Sequence, residues 1–518
     1  MSSQLPLYVQ ALLEPGAYPD HPAEIELLQT QMSFIFLAGG HAYKTKKPVD
    51  LGYLDYTTLE KREYFCRQEL KLNRRLCPAA YLDVLPITES PGGIKLGGSG
   101  KIIEYAVKMK QLPRDRMMDL LLPRDQVTSA MLGQVAGLMA DFHGRAATGP
   151  DISTYGSLEG ISTNTDENFD QTVKYIGTLI PEKSHRLIKE YTDKFLLSHS
   201  SLFNSRESGG KIRDCHGDLH AAHVCFADEI YIYDCIEFND RFRYCDTASE
   251  IAFLAMDIDR YSRADLSGLF IKDYVRASGD SELEELLNFY KCYRAYVRGK
   301  VACFKYDDPY LMDKDSILRE AQLYFDLAYR YAFPGPALII VAGLIGTGKT
   351  TLSKAIGRGL DCTVLSSDVI RKELAGIPPD DRHYDSFAAG LYSPQSTQKT
   401  YSEIFQRAGE QLSQGHTVVL DASFRKSSDR LAARDLALEY GAAFLTVECI
   451  APDEIIRQRL EDRSRAGSVS DGRWEIFADI KKDYDPVGDL PPEEHLVLDT
   501  VNSSGNIIAS ILKRINVL

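Results

Sequence analysis

The chain is short of everything that would send it to a membrane or a nucleic acid. No apolar run in its 518 residues approaches the 18 or so of a spanning helix. The opening stretch MSSQLPLYVQALLEPG has no cationic start, continuous apolar core or small-residue cleavage site, so export is not expected. Positive charge is scarce too. With 60 Lys and Arg against 74 Asp and Glu, the net charge of −14 argues against a general nucleic-acid or anionic-lipid binder, though a local basic groove is compatible with it. None of the ten cysteines forms a close C-x-x-C pair, although Cys215, Cys225, Cys235 and Cys245 recur every ten residues. A zinc site or redox centre is therefore not expected, and the thiols read as reduced, mostly buried and cytoplasmic. Repeats and low-complexity tracts are missing as well. What is present is 44% hydrophobic residues over a length too great for one core, enough for two or three.

The stretch Gly343-Leu-Ile-Gly346-Thr-Gly348-Lys349-Thr350-Thr351 divides the chain. The run Ala337 to Ala342 before it is apolar on successive residues, as a strand buried on both faces of a parallel sheet must be, and a helix follows. Between them the pattern G-x-x-x-x-G-K-[ST] forms a phosphate cradle. Its glycines let backbone N–H groups close on phosphate oxygens, Lys349 reaches the outer phosphates and the Thr350 hydroxyl meets Mg²⁺.

Upstream, Ser33 to Val49 reads as two strands around the Gly39-Gly40 turn. Alternation puts Ala42 and Lys44 on one face, the A-x-K spacing with which kinase N-lobes cap adenine and reach its phosphates; Lys46, on the same face, is the reserve candidate. A solvated lysine cluster on an edge strand is the competing account. Thr57 to Leu76 follows as a helix with the stripe Phe65, Glu69, Leu72, Leu76. Glu69 interrupts that stripe. Unless it merely borders the apolar face, it needs a cation, and the lysine strand supplies one. Val84 to Ile87 and Ile102 to Met109 complete a small antiparallel sheet, Lys110 to Pro113 makes a hinge, and helices are expected over 131–143 and 168–197.

The densest chemistry lies in Asp214-Cys-His216-Gly-Asp218-Leu-His220-Ala-Ala-His223, followed after one hairpin by Tyr233-Asp234-Cys-Ile-Glu237. Asp218 can accept the proton of an incoming hydroxyl while His223 and Asp234 hold a metal bridging nucleotide phosphates. HGDLH with a downstream aspartate resembles the aminoglycoside phosphotransferase family, in the wider protein-kinase-like fold, and the likeness spans about residues 30 to 330. It implies Asp218 as catalytic base, Asp234 as metal ligand and Asp246 as a brace for the loop, with His216 and His143 structural. It departs at His223, where the family carries asparagine. Imidazole in place of a hard oxygen brings in Mn²⁺ as the alternative to Mg²⁺, whereas a His223 turned toward the loop would leave Asp234 to hold metal alone.

Beyond the cradle, a strand over 362–365 leads to Asp368 and, one helical turn on, Arg371, a base and a clamp at the carboxyl end of a parallel sheet; Asp368 as a helix N-cap is the alternative. A strand over 417–420 ends at Asp421, placed to steady Mg²⁺, and Arg430 and Arg434 share a helix face. After a strand over 444–450, Arg459, Arg463 and Arg465 form either a lid over phosphates or a solvated face. This half, about 336 to 518, resembles the small P-loop kinases that include gluconate kinases and polynucleotide 5′-hydroxyl kinases. The resemblance implies Asp368 as general base and Arg371 as a phosphate contact.

The expected fold is an α+β bilobal kinase-like domain, residues 1–332, followed by an α/β P-loop domain with a parallel sheet, residues 333–518, divided at Phe333-Pro-Gly-Pro336. The expected function is a bifunctional cytoplasmic phosphotransferase, each half moving the γ-phosphoryl of ATP or another NTP to a hydroxyl, with Mg²⁺. Its acceptors are small molecules or, at the C-terminal half, a nucleic-acid 5′ end, and no membrane is involved. The alternatives are a single phosphotransferase gated by a nucleotide-sensing P-loop half, and a protein-modifying or degenerate N-terminal kinase.

Overall fold

Alternating residues across the Gly39-Gly40 turn do form a hairpin, and the computed structural model places it inside a larger sheet. Described are residues 5–307, 313–333, 335–378, 389–466, 473–501 and 507–515. Pro334 of the expected boundary and the Arg465 side chain of the expected lid lie outside them. Strands β1 (Ile25–Gln29), β2 (Ser33–Ala38) and β3 (His41–Lys46) lead into helix α1 (Leu59–Asn73). Then come β4 (Tyr81–Ser90), β5 (Gly93–Leu96) and β6 (Lys101–Lys110). The six strands form one antiparallel sheet in the order β1-β2-β3-β6-β4-β5, with Lys44 opposite Val107. Helix α1 starts at a Thr58 cap that accepts from the Lys61 N–H, and it buries Cys66, Glu69 and Leu72. It ends at Asn73, so Leu76, expected to continue its stripe, lies in the following turn.

After the sheet this unit is mainly helical, with α2 (Ser129–Arg145) close to its expected span. The single helix expected over 168–197 is two, Leu158–Thr172 and Glu182–Ser198. Gly177, at φ 81°, and Pro181 lie between them, and neither suits a helix interior. Short strands β7 (Ile212–Asp214), β8 (Val224–Phe226), β9 (Ile230–Ile232) and β10 (Tyr244–Asp246) frame the HGDLH segment, and α3 (Thr247–Arg260) follows.

In the second half all six residues of β11 (Ala337–Ala342) are buried, as their unbroken apolar character requires. With β12 (Thr363–Ser366), β13 (Val418–Asp421), β14 (Ala443–Ile450) and β15 (His495–Asp499) it forms a parallel sheet ordered β12-β13-β11-β14-β15. Because β11 lies between β13 and β14, strand order reverses at its carboxyl end, and the crevice that opens there receives the glycine-rich loop. Leu338 and Ile340 pack on one face with Ile404, Leu420 and Phe444, each such side chain contributing about 1.5–3 kcal/mol by its removal from water.

Contacts group Met1–Gln171, Tyr191–Ile258 and Leu269–Arg294 into one compact unit, and Thr172–Glu190, Asp259–Gly268 and Ala295–Leu518 into another. The second unit thus takes in α4 (Lys314–Ala332), which precedes Phe333. Helix α4 buries Tyr324, Phe325, Leu327 and Ala328. Its Arg330 donates to Thr417 Oγ1 at 3.0 Å, and that hydroxyl also accepts from the Ala337 N–H at 3.1 Å. A fragment 313–518, which keeps α4, is therefore expected to melt several degrees above a fragment 333–518 in scanning calorimetry. Equal midpoints would place α4 outside the core of this unit.

Candidate functional site

Two sites emerge, one in each unit. In the first, β3 alternation turns Ala42, Lys44 and Lys46 to one side, where α1 presents Glu69 with no solvent exposure. Glu69 Oε1 lies 2.9 Å from Lys44 Nζ and Oε2 lies 2.7 Å from Lys46 Nζ. The two lysines then part. Lys44 reaches Asp234 Oδ1 at 2.6 Å, whereas Lys46, only 1% exposed, pairs with Glu237, which also accepts from the Tyr56 hydroxyl at 2.7 Å. Lys44 therefore faces the chemistry, and Lys46, the reserve candidate, is sealed behind it. Burial opposes the charge on Lys44 and on Asp234, yet their mutual attraction keeps the lysine well above and the carboxyl well below their ordinary values.

Asp218 sits at the tip of the HGDLH turn, where Gly217 has φ 87° and a Cβ would meet the Phe242 carbonyl at 2.9 Å. His216 donates through Nε2 to the Tyr233 carbonyl at 2.9 Å, and its Nδ1 accepts from the Asp218 N–H at 3.3 Å. It is a structural tie between the loop and the strand that delivers Asp234. His143, buried between Tyr274 and Glu250, is likewise structural. Asp246 does not brace the loop. It is committed to the buried Arg206, through contacts of 2.7 and 2.8 Å, and to the first turn of α3. The brace is Glu250, one turn further on, which accepts from the N–H groups of His216 at 3.0 Å and Gly217 at 2.6 Å. A glutamate amid the apolar residues of α3 was the available signal, of the same kind that picked out Glu69.

His223 lies 3.6 Å through Nε2 from Asp234 Oδ2, and its Nδ1 is 2.9 Å from the Asp218 carbonyl. Burial first, then neighbouring His220, push its pKa down to about 4, so the ring is neutral at pH 7. A neutral imidazole nitrogen beside the carboxylates of Asp218 and Asp234 is a donor set that fits a divalent cation.

In the second unit Gly343, Gly346 and Gly348 have φ of 134°, 77° and 96°. A Cβ at Gly343 would meet the Cys449 carbonyl at 2.5 Å, so the loop closes only with glycine there. Lys349 opens helix α5 (Lys349–Leu360) and folds its Nζ back to the Leu344 carbonyl at 2.8 Å, with burial lowering its pKa. A cavity of about 660 Å³ is lined by Gly346, Gly348, Lys349, Thr350 and Thr351 together with Asp368, Arg371, Asp421 and Arg463. Asp421, raised by burial, hydrogen-bonds Thr350, so hard oxygen donors suited to Mg²⁺ stand together.

Asp368 and Arg371 share helix α6 (Ser367–Leu374). The Arg371 guanidinium is held by the Leu391 carbonyl at 3.0 Å and Thr397 Oγ1 at 3.3 Å and lies over the Tyr392 ring. The arginine groups divide. Arg463 lines the cavity, while Arg459 binds Thr500 and reaches the Gly346 carbonyl, bracing the loop. Arg430 is fully buried against Asp489 and three backbone carbonyls, and Arg434 pairs with Glu494, so both anchor the segment before and at β15.

A family model described as an AAA domain matches residues 338–487. Among solved structures, a choline/ethanolamine kinase family protein from Mesorhizobium loti aligns with 64% of this chain and 100% of its own at 13% identity, TM-score 0.39. A gluconokinase from Sinorhizobium meliloti 1021 aligns with 35% of this chain and 90% of its own at 20% identity, TM-score 0.24. The stretch matched by the AAA-domain model holds the glycine-rich loop, Asp368, Arg371 and Asp421 of the second site. The chain belongs to the same family as the uncharacterized proteins Mb2027c of Mycobacterium bovis and Rv2004c of Mycobacterium tuberculosis. It is 30% identical to each over 469 residues, 89% of this chain and 91% of theirs.

Removing Glu69 strips a buried carboxylate from two lysines, so Glu69→Ala is expected to lower unfolding free energy by about 3–5 kcal/mol. Glu63→Ala, which breaks the exposed pair with Arg67 on the same helix, should change it by under about 1 kcal/mol. Urea titration of the two variants checks the contrast, and equal losses would show that burial does not set the strength of the Glu69 pairs.

Glu250 yields a pH dependence. Burial alone would raise its pKa, but the His143 hydrogen bond and the loop N–H groups hold it down to about 2. Because that lies below the unfolded value, about 4.3, its stabilisation is complete above that value and is lost as pH falls toward 2. Unfolding measured between pH 5 and pH 3 should show a shallower loss in Glu250→Gln than in the parent. Parallel slopes would contradict the assignment.

Proposed function

We propose that the chain is a bifunctional phosphotransferase, each unit moving the γ-phosphoryl of ATP to a hydroxyl at its own site. The observation that carries this reading is that each unit separately holds an ammonium for phosphate, a carboxylate for the acceptor proton and donors for a divalent ion. In the first unit these are Lys44 with Glu69, Asp218, and Asp234 with His223. In the second they are Lys349, Asp368, and Thr350 with Asp421.

In the first unit Asp218 takes the proton of the acceptor hydroxyl as its oxygen bonds to the γ-phosphorus and the bond to the departing ADP oxygen breaks; Lys44, held by Glu69, orients the phosphates. A divalent ion held by Asp234 and His223 would offset charge on the phosphate oxygens. In the second unit Asp368 takes the proton, and Lys349 and Arg463, which both line the cavity, meet the phosphates. Arg371, fixed on the acceptor side by Leu391 and Thr397, suits an anionic acceptor. A small phosphorylated molecule and a nucleic-acid 5′ end both meet that description. Free thiols at all ten cysteines accord with a reducing, cytoplasmic setting. Among the described residues no helix is long and apolar enough to cross a membrane.

Screens of small hydroxyl compounds and 5′-hydroxyl oligonucleotides with the full chain supply the acceptors. Lys349→Ala should then reduce transfer at the P-loop site by about 100-fold or more while Asp218-dependent transfer persists, and Asp218→Ala should do the reverse. If either substitution in a folded protein abolishes both activities, the sites are not independent, and gating of one by the other takes the place of bifunctionality.

A further inference from the structure

The tautomer of His223 says what Asp234 works with. A carbonyl oxygen only accepts, so the 2.9 Å contact with the Asp218 carbonyl puts the ring hydrogen on Nδ1. Nε2 is then the ring nitrogen open to a metal, and it faces Asp234 Oδ2 at 3.6 Å. That separation is too long for a hydrogen bond. Donors each about 2.0–2.2 Å from one ion stand roughly 3–4 Å apart, so the spacing is that of two ligands on a shared metal.

The surroundings hold both groups in place. Lys44 occupies Oδ1 of Asp234 at 2.6 Å, which leaves Oδ2 toward the imidazole. Asp234 itself has φ 63°, a left-handed conformation that a non-glycine residue keeps only where its neighbours enforce it. Here the Tyr233 N–H donates to the His223 carbonyl at 3.1 Å, and the Asp234 N–H donates to the Tyr81 hydroxyl at 3.2 Å. The His220 ring lies 3.9 Å from that of His223, centroid to centroid, and backs it from the other side.

We propose that His223 Nε2 and Asp234 Oδ2 jointly ligate the divalent ion of the first site, and that this nitrogen makes the site prefer Mn²⁺ to Mg²⁺. Mg²⁺ surrenders its oxygen shell reluctantly, whereas ions to its right in hardness and affinity order accept imidazole readily. The proposal rests on reading this site as one for phosphoryl transfer, and the experiment separates the two.

The full chain carrying Lys349→Ala, to silence the second site, is loaded with Mn²⁺ and ADP, and nitrogen coupling to the ion is read by pulsed electron paramagnetic resonance. Coupling should be present, and it should change isotope pattern when the protein is made with ¹⁵N-histidine, a measurement that needs no substitution at the site. It should vanish in His223→Asn and persist in His220→Asn. The ratio of Mn²⁺ to Mg²⁺ affinity should fall by about tenfold or more in His223→Asn. Histidine coupling absent from a site whose Mn²⁺ binding Asp234→Asn abolishes would overturn ligation by His223 and leave the site reading standing. Coupling that survives in a folded His223→Asn protein would overturn it equally. If Asp234→Asn leaves Mn²⁺ binding unchanged, the site reading fails and takes the proposal with it.

Discussion

A single carboxylate organises the first unit. Glu69 is out of contact with solvent, and its two oxygens receive two lysines from the neighbouring strand. Neither cation could be buried alone, since an unpaired ammonium in the interior would lose its charge or its place. Helix α1 is thereby fixed in rotation and height against β3. The same contact aims Lys44 at Asp234 and seals Lys46 against Glu237. Such a network adds little stability beyond what an apolar cluster of equal volume would give, but it admits few alternative registers.

The second site depends on backbone instead. Its cradle is a chain path that three glycines permit, and the contacts that matter are N–H groups whose direction follows from φ and ψ alone. That difference decides what could be read in advance. GLIGTGKT announces its geometry because each glycine is demanded locally, and the buried strand before it is an unbroken apolar run. Glu69 could be suspected as a carboxylate in an apolar stripe, but not that it would serve both Lys44 and Lys46. Two lysines on one strand face are equivalent in sequence, and only the third dimension shows that Glu237 claims one of them.

Other misreadings have the same root. Asp246 and Glu250 are both acidic residues at the start of α3. The residue that reaches the loop N–H groups is the one whose side chain leaves the helix toward the loop, and Asp246 is claimed by Arg206, forty positions away in sequence. Arg430 and Arg434 share a helix face as expected, yet that face meets Asp489 and Glu494, from the segment that returns to the sheet as β15, a pairing that a shared helix face does not announce. The break in the helix over 168–197 was legible in Gly177 and Pro181 but was outweighed by periodicity on either side. Local chemistry is visible in sequence wherever one residue type suffices. It is hidden wherever two similar residues compete for a distant partner.

Charge balance sets the two sites apart in a further way. Around the first, Lys44 and Lys46 meet Glu69, Glu237 and Asp234 in direct contact, with Asp218 beyond His223. Negative charge is in excess before any nucleotide arrives. A triphosphate alone would be repelled by that field, and in a region of low dielectric the repulsion is strong at the distances concerned. Under the proposed function a divalent cation would relieve that excess, and metal and nucleotide would then stabilise each other's binding rather than compete for the lysines. Around the second cavity five basic side chains, Lys349, Arg371, Arg425, Lys426 and Arg463, face four aspartates, Asp368, Asp421, Asp429 and Asp483. A phosphate entering there would meet the glycine-rich loop and cations already in place. The proposed bifunctionality would thus use two routes to phosphate, one in which acidic residues recruit a cation that recruits phosphate, and one in which the backbone receives phosphate directly.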